Sequence, residues 1–485
     1  MQLNDLLASV KVAYDGDVWV EDITDDSREV RPGSCFFAVP GSESDGRLYI
    51  NDALLRGAVA IIYDNDDGFD GLPSSVPSIP IAHLSMHLGM MAAHFFAHPS
   101  RSMSVYAVTG TNGKSSCVHA IAHALKYLGK RCWQVGTLGY GFQDHLQEMG
   151  MTTPGAIRLQ RILHEARLQG ADAVAMEVSS HALDQGRIHG VSIDVALLTQ
   201  VTQDHLDYHL TQASYESCKK RLFEIPLHVA VYNLGDRCGA QWIKESFATC
   251  SVGYFLGGKR AGAWSWQIEH EGSKGLDVVV QAPCGQISQC HIPLIGAFNA
   301  ANLAAVTAAL VAYGYDISLI LHAWQDIAPL NGRMNVMTSS SGVQVVVDYA
   351  HTQDALGAAL KSLRGIAQGK LWCVFGCGGE RDQGKRPLML SCALEGADRV
   401  VMTSDNPRGE DPKKIINDMI AGRTLDDRVV STLIDRSEAI GYAISHAQRG
   451  DVILIAGKGH ESYQLIGRER HYFSDTVCAK NFMGL

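Results

Sequence analysis

Residues 109–116 read Thr-Gly-Thr-Asn-Gly-Lys-Ser-Ser and lie between an apolar run (104–109) and a stretch with helical patterning. Glycines at a strand-to-helix turn let backbone N–H groups point inward at phosphate oxygens, and the dipole of the following helix favours an anion there. In such a loop Lys114 would neutralise the outer phosphates of a nucleotide and the Ser115 hydroxyl would sit on Mg²⁺. The general phosphate-loop pattern spaces its glycines more widely than Gly110 and Gly113, so a glycine turn with an incidental lysine is an alternative that the loop alone leaves open. Glu177 ends a second apolar run, in Ala-Met-Glu-Val-Ser-Ser-His. A carboxylate at a strand end beside a phosphate loop is placed to hold a hard cation, and a solvated strand-end Glu is the plainer reading. Asp204, His205, Asp207 and His209 fall within one short stretch; a single His is more often structural than a ligand. Residues 215–223 read as an amphipathic helix with a basic face, for which solvated lysines are the default. Three charged, glycine-containing segments then follow apolar runs: 375–387, 403–412 and 456–461.

The elements that must position these groups alternate between strand-like and helix-like patterning. Residues 1–101 hold short apolar runs, such as 35–39 and 59–63, between Asp/Gly-rich turns, which predicts a small α/β domain. Residues 102–331 open with the strand–turn–helix around the glycine loop, the helix predicted over 117–128, and continue with strands near 171–176 and 195–199. Residues 332–485 show strands at 343–347, 371–375, 399–402 and 451–456 with helices between them, near 354–363 and 413–421. Alternating strands and helices predict a parallel, doubly wound sheet whose ligands gather at the carboxyl ends of the strands. The three charged segments share that edge in the last domain.

Hydrophobic residues make up 46% and charged residues 19% of the 485-residue chain, ordinary for a globular protein. A net charge of -10 argues against general nucleic-acid binding, which needs a basic face. The twelve cysteines are scattered and several sit in apolar runs, so buried free thiols in a reducing cytosol are expected; Cys373 and Cys377 lack a matching pair for zinc. The first ten residues show no basic region followed by an apolar stretch, and no long apolar run spans a membrane. A cytoplasmic protein is expected.

TGTNGKSS, MEVSSH, the block from Thr202 to His209, Gly296-Ala-Phe-Asn-Ala-Ala-Asn and Val-Asp-Tyr-Ala-His-Thr together resemble the motifs of the Mur ligases, in the expected order and over nearly the whole chain. The resemblance implies three domains: a UDP-substrate-binding domain (1–101), a central P-loop ATPase-like domain with a mainly parallel sheet (102–331) and a Rossmann-like amino-acid-binding domain (332–485). It implies ATP bound by Thr109, Gly110, Thr111, Asn112, Gly113, Lys114, Ser115 and Ser116, with Asn299 and Asn302 toward the adenine, although Asn299 would equally serve as a helix N-cap. Arg333, Asp348 and His351 would approach the ATP phosphates and ribose from the last domain. Two Mg²⁺ sites would be held by Ser115, Glu177, His205 and a carbamylated Lys219. Lys219 matches the family's lysine by its spacing to Tyr215 and Phe223, and the adjacent Lys220 is the competing register. The catalytic set would be Lys114, Glu177, His205 and Lys219.

Asp-Asn-Pro-Arg (405–408) further resembles the branch of the family that adds meso-2,6-diaminopimelate to UDP-N-acetylmuramoyl-L-alanyl-D-glutamate through an acyl phosphate, in peptidoglycan precursor synthesis. On that reading Arg408 receives the distal carboxylate of diaminopimelate, Glu461 suits its distal ammonium, and Arg381, Asp405, Asn406, Pro407 and Gly457 complete the pocket. Asp25, Ser27, Ser42, Glu43 and Ser44 match uridine-nucleotide contacts, and Thr152, Thr153, Ser179, Gln185 and Arg187 match muramoyl-dipeptide contacts. A monomer is expected. Two departures stand out: Gln200 at a position where the family has Asn, and Gln353 in place of a Pro expected to stiffen a turn. A lysine-adding ligase, a folylpolyglutamate synthetase-like ligase and a catalytically inactive nucleotide-binding scaffold are the rival readings; Arg408 argues against the first and the first-domain block against the second.

Overall fold

A computed structural model describes residues 1–41, 44–70 and 75–485. Three large sheets follow one another along the chain, and a two-stranded antiparallel hairpin of Tyr463–Ile466 and Glu469–Tyr472 lies near its end. The first is a four-stranded parallel sheet of Asp22–Thr24, Ser34–Ala38, Ala60–Asp64 and Ser78–Ile81 in sequential order. Its middle strands are buried throughout, as strands covered on both faces must be. Leu3–Ala8 and Leu84–Phe95 cover one face, and Ile50–Leu55 the other.

The second sheet has eleven strands. Its parallel centre places Ser104–Thr109 between Ala173–Glu177 and Val195–Leu198. The chain leaves Ser104–Thr109 toward one side of the sheet and later returns to build the other side. The loop after this strand therefore sits where the strand order reverses, the place at which open α/β sheets bind ligands. Lys114–Tyr127 and Ala297–Tyr313 cover one face; Ala297–Tyr313, apolar nearly all round, is enclosed on most sides. Ala156–Leu168 covers the other face. Antiparallel strands from Trp264 to Ile292 extend the far edge.

The third sheet runs Asn335–Thr338, Gln344–Asp348, Val452–Ala456, Leu371–Phe375, Arg399–Met402, Val430–Thr432, parallel except for its first strand. Val452–Ala456 returns last in sequence to the middle of the sheet, so the loops after Asp348, Phe375, Met402 and Ala456 converge on one edge. Helix bounds differ from the sequence expectation at their starts, where caps decide: the helix expected from residue 117 begins at Lys114, and Pro412–Ile420 begins one residue after its Asp411 cap. Gln353 is not in a turn. It is the first residue of helix Gln353–Ile366, capped by Thr352. Proline is tolerated at that position because its N–H is unused there, so Gln and Pro serve alike.

A fully buried pair locks the third domain. The Arg436 guanidinium forks onto Asp475 (Nε–Oδ1 2.7 Å, Nη2–Oδ2 2.8 Å), both side chains being 0% exposed. It also donates to Ala456 O at 2.9 Å, which ties the C-terminal helix Asp475–Met483 to the strand end that carries the last loop. Removing one partner strands the other charge in the core. Asp475→Ala is expected to lower stability by about 3–5 kcal/mol, read as a shift of the urea unfolding midpoint.

Candidate active site in an interdomain cleft

The loop after Ser104–Thr109 turns at Gly110 (φ +148°) and Gly113 (φ +88°). A Cβ on Gly110 would collide with Thr199 Oγ1, and one on Gly113 would lie 2.5 Å from Asn302 Oδ1, so both positions require glycine. The loop is held from outside. Thr111 N donates to Gln200 O (2.7 Å), Thr199 Oγ1 to Asn112 O (2.6 Å), and Thr109 Oγ1 to Val178 O (2.8 Å). Gln200 contributes its carbonyl, a group every residue has, which accounts for a side chain other than Asn at this position. The loop's remaining N–H groups and those opening helix Lys114–Tyr127, with buried Ser115 and half-buried Ser116, form an anion cradle.

Two lysines converge on this cradle. Lys114 Nζ donates to Gly110 O and Thr111 O, both at 2.9 Å, and Lys219 Nζ donates to Gly110 O at 3.0 Å. Lys219 is 1% exposed, with its ammonium 4.7 Å over the Tyr215 ring; Lys220 instead pairs with Glu245 at the surface. Burial, with Lys114 alongside, pushes Lys219 well below the usual lysine range, and burial lowers Lys114 as well.

Glu177 is buried at the end of its strand, accepting from Thr137 N (2.8 Å) and Thr137 Oγ1 (3.2 Å). His205 is half-buried in the left-handed conformation (φ +54°) with Nε2 3.4 Å from Asp204 Oδ2. Desolvation outweighs the Asp204 charge and holds its imidazole neutral, leaving a ring lone pair available. Among the described residues no three His, Cys, Asp or Glu side chains form a ready metal cage. A carboxylate, a hydroxyl and an imidazole near a phosphate cradle nevertheless fit Mg²⁺, which takes few protein ligands and fills its shell with phosphate oxygens and water.

The dipeptide-contact candidates divide. Thr153 Oγ1 is committed to Glu177 O (2.8 Å) and Ser179 N (3.1 Å), and Ser179 Oγ caps its own helix. Thr152 meets Thr137 (3.0 Å), and Arg187 is locked to Gln185 and to Thr153 O (2.7 Å). Across the cleft, Arg333 lies 4.4 Å over the Tyr349 ring and reaches Ser115 Oγ at 3.4 Å. Asp348 faces inward: its two oxygens accept from Met334 N and Ala350 N, both at 2.8 Å. It braces the Arg333 turn, and each of its oxygens keeps a second lone pair. His351 Nδ1 lies 3.0 Å from Tyr349 O, and burial lowers its pKa to about 4. Asn299 Nδ2 donates to Ile295 O at 2.8 Å from inside the helix, whose N-cap is Gly296, and Asn302 abuts Gly113.

The third-domain loops and the central domain enclose a cavity of ≈ 640 Å³. Thr137, Thr152, Asp204 and His205 line it from one side, and Arg381, Asp405, Asn406, Arg408, Gly457 and Glu461 from the other. Arg408 adopts φ +52°. Its backbone is pinned by Arg408 N to Leu465 O (2.9 Å) and Gly467 N to Arg408 O (2.8 Å), and its Nη1 donates to Gly379 O (2.8 Å). Burial and repulsion by Arg381 lower its pKa, so this is a cation without a protein anion paired to it, suited to a ligand carboxylate. Pro407 packs against Gly379. Sequence reasoning missed three buried cations behind this surface: Lys458, Arg436, and Arg386, which clamps Glu410 (2.8 Å) and Asp418 (2.7 Å). A cation in an apolar or glycine-rich stretch carries no sign that it is buried.

The first-domain candidates lie outside this cavity's lining. Asp25 and Ser44 are exposed and Ser27 opens a single turn capped by Asp26; Ser42 and Glu43 lie outside the described residues. All twelve cysteines are free thiols, with Cys373 and Cys377 buried. No helix among the described residues is long and apolar enough to cross a membrane.

Three segments match domain families: residues 20–96 the Mur ligase family catalytic domain, 108–310 the Mur ligase middle domain, and 332–459 the Mur ligase glutamate ligase domain. The chain is 43% identical over 483 residues to a Coxiella burnetii protein named UDP-N-acetylmuramoyl-L-alanyl-D-glutamate–2,6-diaminopimelate ligase, covering 99% of this chain and 98% of that one. A solved structure of an enzyme with that name superposes with TM-score 0.70 at 34% identity, over 100% of this chain and 99% of the other. The fold is shared with a MurF ligase from Thermotoga maritima solved with ADP (TM-score 0.65, 18% identity, 91% of this chain and 95% of that one).

Gly113→Ala is expected to weaken binding of a nucleoside triphosphate at least about 10-fold, because strain of about 1–3 kcal/mol falls on the cradle itself. Titration calorimetry with a non-hydrolysable ATP analogue reads it, and unchanged affinity would remove the loop from the site.

Proposed function

The chain belongs to the Mur ligase family, and from that premise we propose that it is the ATP-dependent ligase that joins meso-2,6-diaminopimelate to UDP-N-acetylmuramoyl-L-alanyl-D-glutamate in peptidoglycan precursor synthesis. The observation that carries the substrate choice is the pair Arg381 and Arg408 in the same cleft as Glu461, with Thr152, Asp204 and His205 of the central domain on its other side. A distal carboxylate and a distal ammonium on one ligand answer both. L-Lysine would leave Arg408 desolvated and without a partner, which costs several kcal/mol of discrimination. Residues 1–101 are assigned to the uridine nucleotide, 102–331 to ATP and 332–485 to the amino acid, in a monomeric cytoplasmic enzyme.

The reaction runs in two transfers. The D-Glu γ-carboxylate attacks the γ-phosphorus of ATP, ADP leaves, and an acyl phosphate forms. The amine of diaminopimelate then adds to the acyl carbon, and the tetrahedral adduct expels phosphate and loses a proton to leave an amide. The loop N–H groups and Lys114 bind the phosphates in both transfers and offset the negative charge that grows in each. The two sides of the cleft exclude water, which would otherwise hydrolyse the acyl phosphate. Ser115, Glu177, His205 and Lys219 would hold two Mg²⁺, which supply Lewis-acid neutralisation of phosphate charge. As an ammonium Lys219 would repel a cation. Burial favours its neutral amine, whose lone pair would bond the carbon of CO₂; loss of one amine proton to solvent would leave a carbamate, an anionic oxygen ligand.

The decisive assay is phosphate release with ATP, Mg²⁺ and UDP-N-acetylmuramoyl-L-alanyl-D-glutamate. Turnover is expected with meso-diaminopimelate and not with L-lysine, and Arg408→Ala should lower kcat/KM for diaminopimelate by about 10²-fold or more. Lysine preference would overturn the reading of Arg408; no turnover with either would favour an inactive scaffold. In a second test, Lys219→Ala should lose about 10²-fold in activity and regain part of it with formate or acetate. Full activity without added acid would eliminate the carbamate.

A further inference from the structure

Lys458 sits at the base of the amino-acid pocket and has no role in the reaction as described. It is 0% exposed, so it cannot reach a ligand in the cavity. Its ammonium donates to Asn406 Oδ1 (3.0 Å) and Glu461 Oε2 (2.8 Å), and lies 5.4 Å from the centre of the Tyr463 ring. Three donors thus meet two oxygens and an aromatic face, all on the loops that line the pocket. The same network fixes the Asn406 amide. Its Oδ1 also accepts from Leu465 N (3.0 Å), and its Nδ2 donates to Glu461 Oε2 (3.0 Å). A flipped amide would set its NH₂ against two donors. Glu461 Oε2 is therefore saturated, while Oε1 has no donor among the described residues and belongs to a side chain that lines the cavity.

Resting on the ligase reading above, we propose that Lys458 is a positioning residue that sets selectivity for the amino acid's distal end. By holding Glu461 through one oxygen, it keeps that carboxylate from turning to Arg408 and leaves the Arg408 guanidinium for a ligand carboxylate. By offsetting part of the Glu461 charge, it also makes the site a poor trap for an ammonium alone. A ligand needs both distal charges to bind well, which is what separates a diamino dicarboxylic acid from a diamino monocarboxylic one. Without the Lys458 charge, Glu461 keeps only its bond from Asn406 Nδ2 and stands as an unneutralised carboxylate near Arg408, which favours the monocarboxylic competitor and disfavours the dicarboxylic substrate.

The test is steady-state kinetics of phosphate release for wild type, Lys458→Met and Lys458→Gln, at saturating ATP and UDP-dipeptide, with each amino acid varied. In Lys458→Met, KM for diaminopimelate should rise about 30-fold with kcat within a few-fold, while kcat/KM for L-lysine holds or rises, so discrimination falls at least about 30-fold. Lys458→Gln keeps a donor but no charge and should move the ratio in the same direction. Equal losses for both amino acids, an unchanged ratio, or failure of both variants to fold would each reduce Lys458 to a structural role and overturn the proposal. If the wild type turns over neither amino acid, the ligase reading fails and takes this inference with it; a diaminopimelate-selective wild type with unchanged discrimination in the variants sinks this inference alone.

Discussion

Lys114 at the glycine loop and Arg408 in the cavity lined by the third-domain loops both have backbone carbonyls as their hydrogen-bond acceptors. Among the described residues neither forms an ion pair, although burial lowers the pKa of both. Desolvating a cation without pairing it is costly, and a fold that does so at both places is built for anionic occupants. Phosphate and carboxylate groups are the anions a ligase of this kind brings together, and each unpaired cation makes the binding of one the missing half of an ion pair. The positions of these cations, more than the general architecture, are what the surrounding structure must hold.

That holding is visible as backbone strain. His205 (φ +54°), Met334 (φ +50°), Glu380 (φ +54°) and Arg408 (φ +52°) are all non-glycine residues in the left-handed region, and all lie on or beside the cleft loops. Such conformations cost about 1–3 kcal/mol each unless the surroundings over-determine them. Each has a visible restraint. Asp204 takes His205 N, Asp348 takes Met334 N, Glu410 and Arg386 brace the loop that carries Glu380, and the hairpin at Leu465 and Gly467 brackets Arg408. The buried Arg436–Asp475 fork then fixes the strand end beneath. Stability in the third domain is thus spent on aiming loops, with polar groups in the core where apolar packing would serve stability alone.

Much of this was legible in the sequence, and what was not has a common cause. Apolar runs and glycine turns marked strands of each large sheet, the turn after Thr109 and the edge on which the charged loops gather, because hydrophobic period and turn chemistry are local; the antiparallel strands from Trp264 to Ile292 went unread. The direction in which a polar side chain points is not local. Asp348, Thr153 and Ser179 sit in motif blocks, and each also accepts from a backbone N–H, a bracing role that residue type does not reveal. Lys458, in the same Gly-Lys-Gly turn that displays Gly457, is fully buried, and nothing in residue type or spacing distinguishes it from a solvated lysine. Gln200 and Gln353 were departures from a pattern on the page and turned out to occupy positions where the backbone carbonyl or the helix start does the work.

Ile295 and Phe298 of the central domain pack against the third-domain core, but the polar contacts across the cleft itself are long among the described residues. The direct hydrogen bonds across it at the phosphate loop are Asn112 Nδ2 to Thr352 Oγ1 at 3.3 Å and Arg333 Nη2 to Ser115 Oγ at 3.4 Å, both at the long end of the range. Farther along, Arg470 and Glu148 stand 3.9 Å apart at the exposed rim, where a pair contributes little. A domain arrangement held by such contacts is set by whatever bridges them more strongly. A nucleotide in contact with Lys114 on one side and Arg333 on the other would do so, and so would an amino acid anchored on Arg408 with its amine directed at the central domain. Because a ligand shifts an equilibrium only by its differential affinity for the two states, the long polar contacts across the cleft leave its tightening to the substrates. An enzyme that must shield an acyl phosphate gains from this, since the cleft then closes when the groups that are to react are present in it.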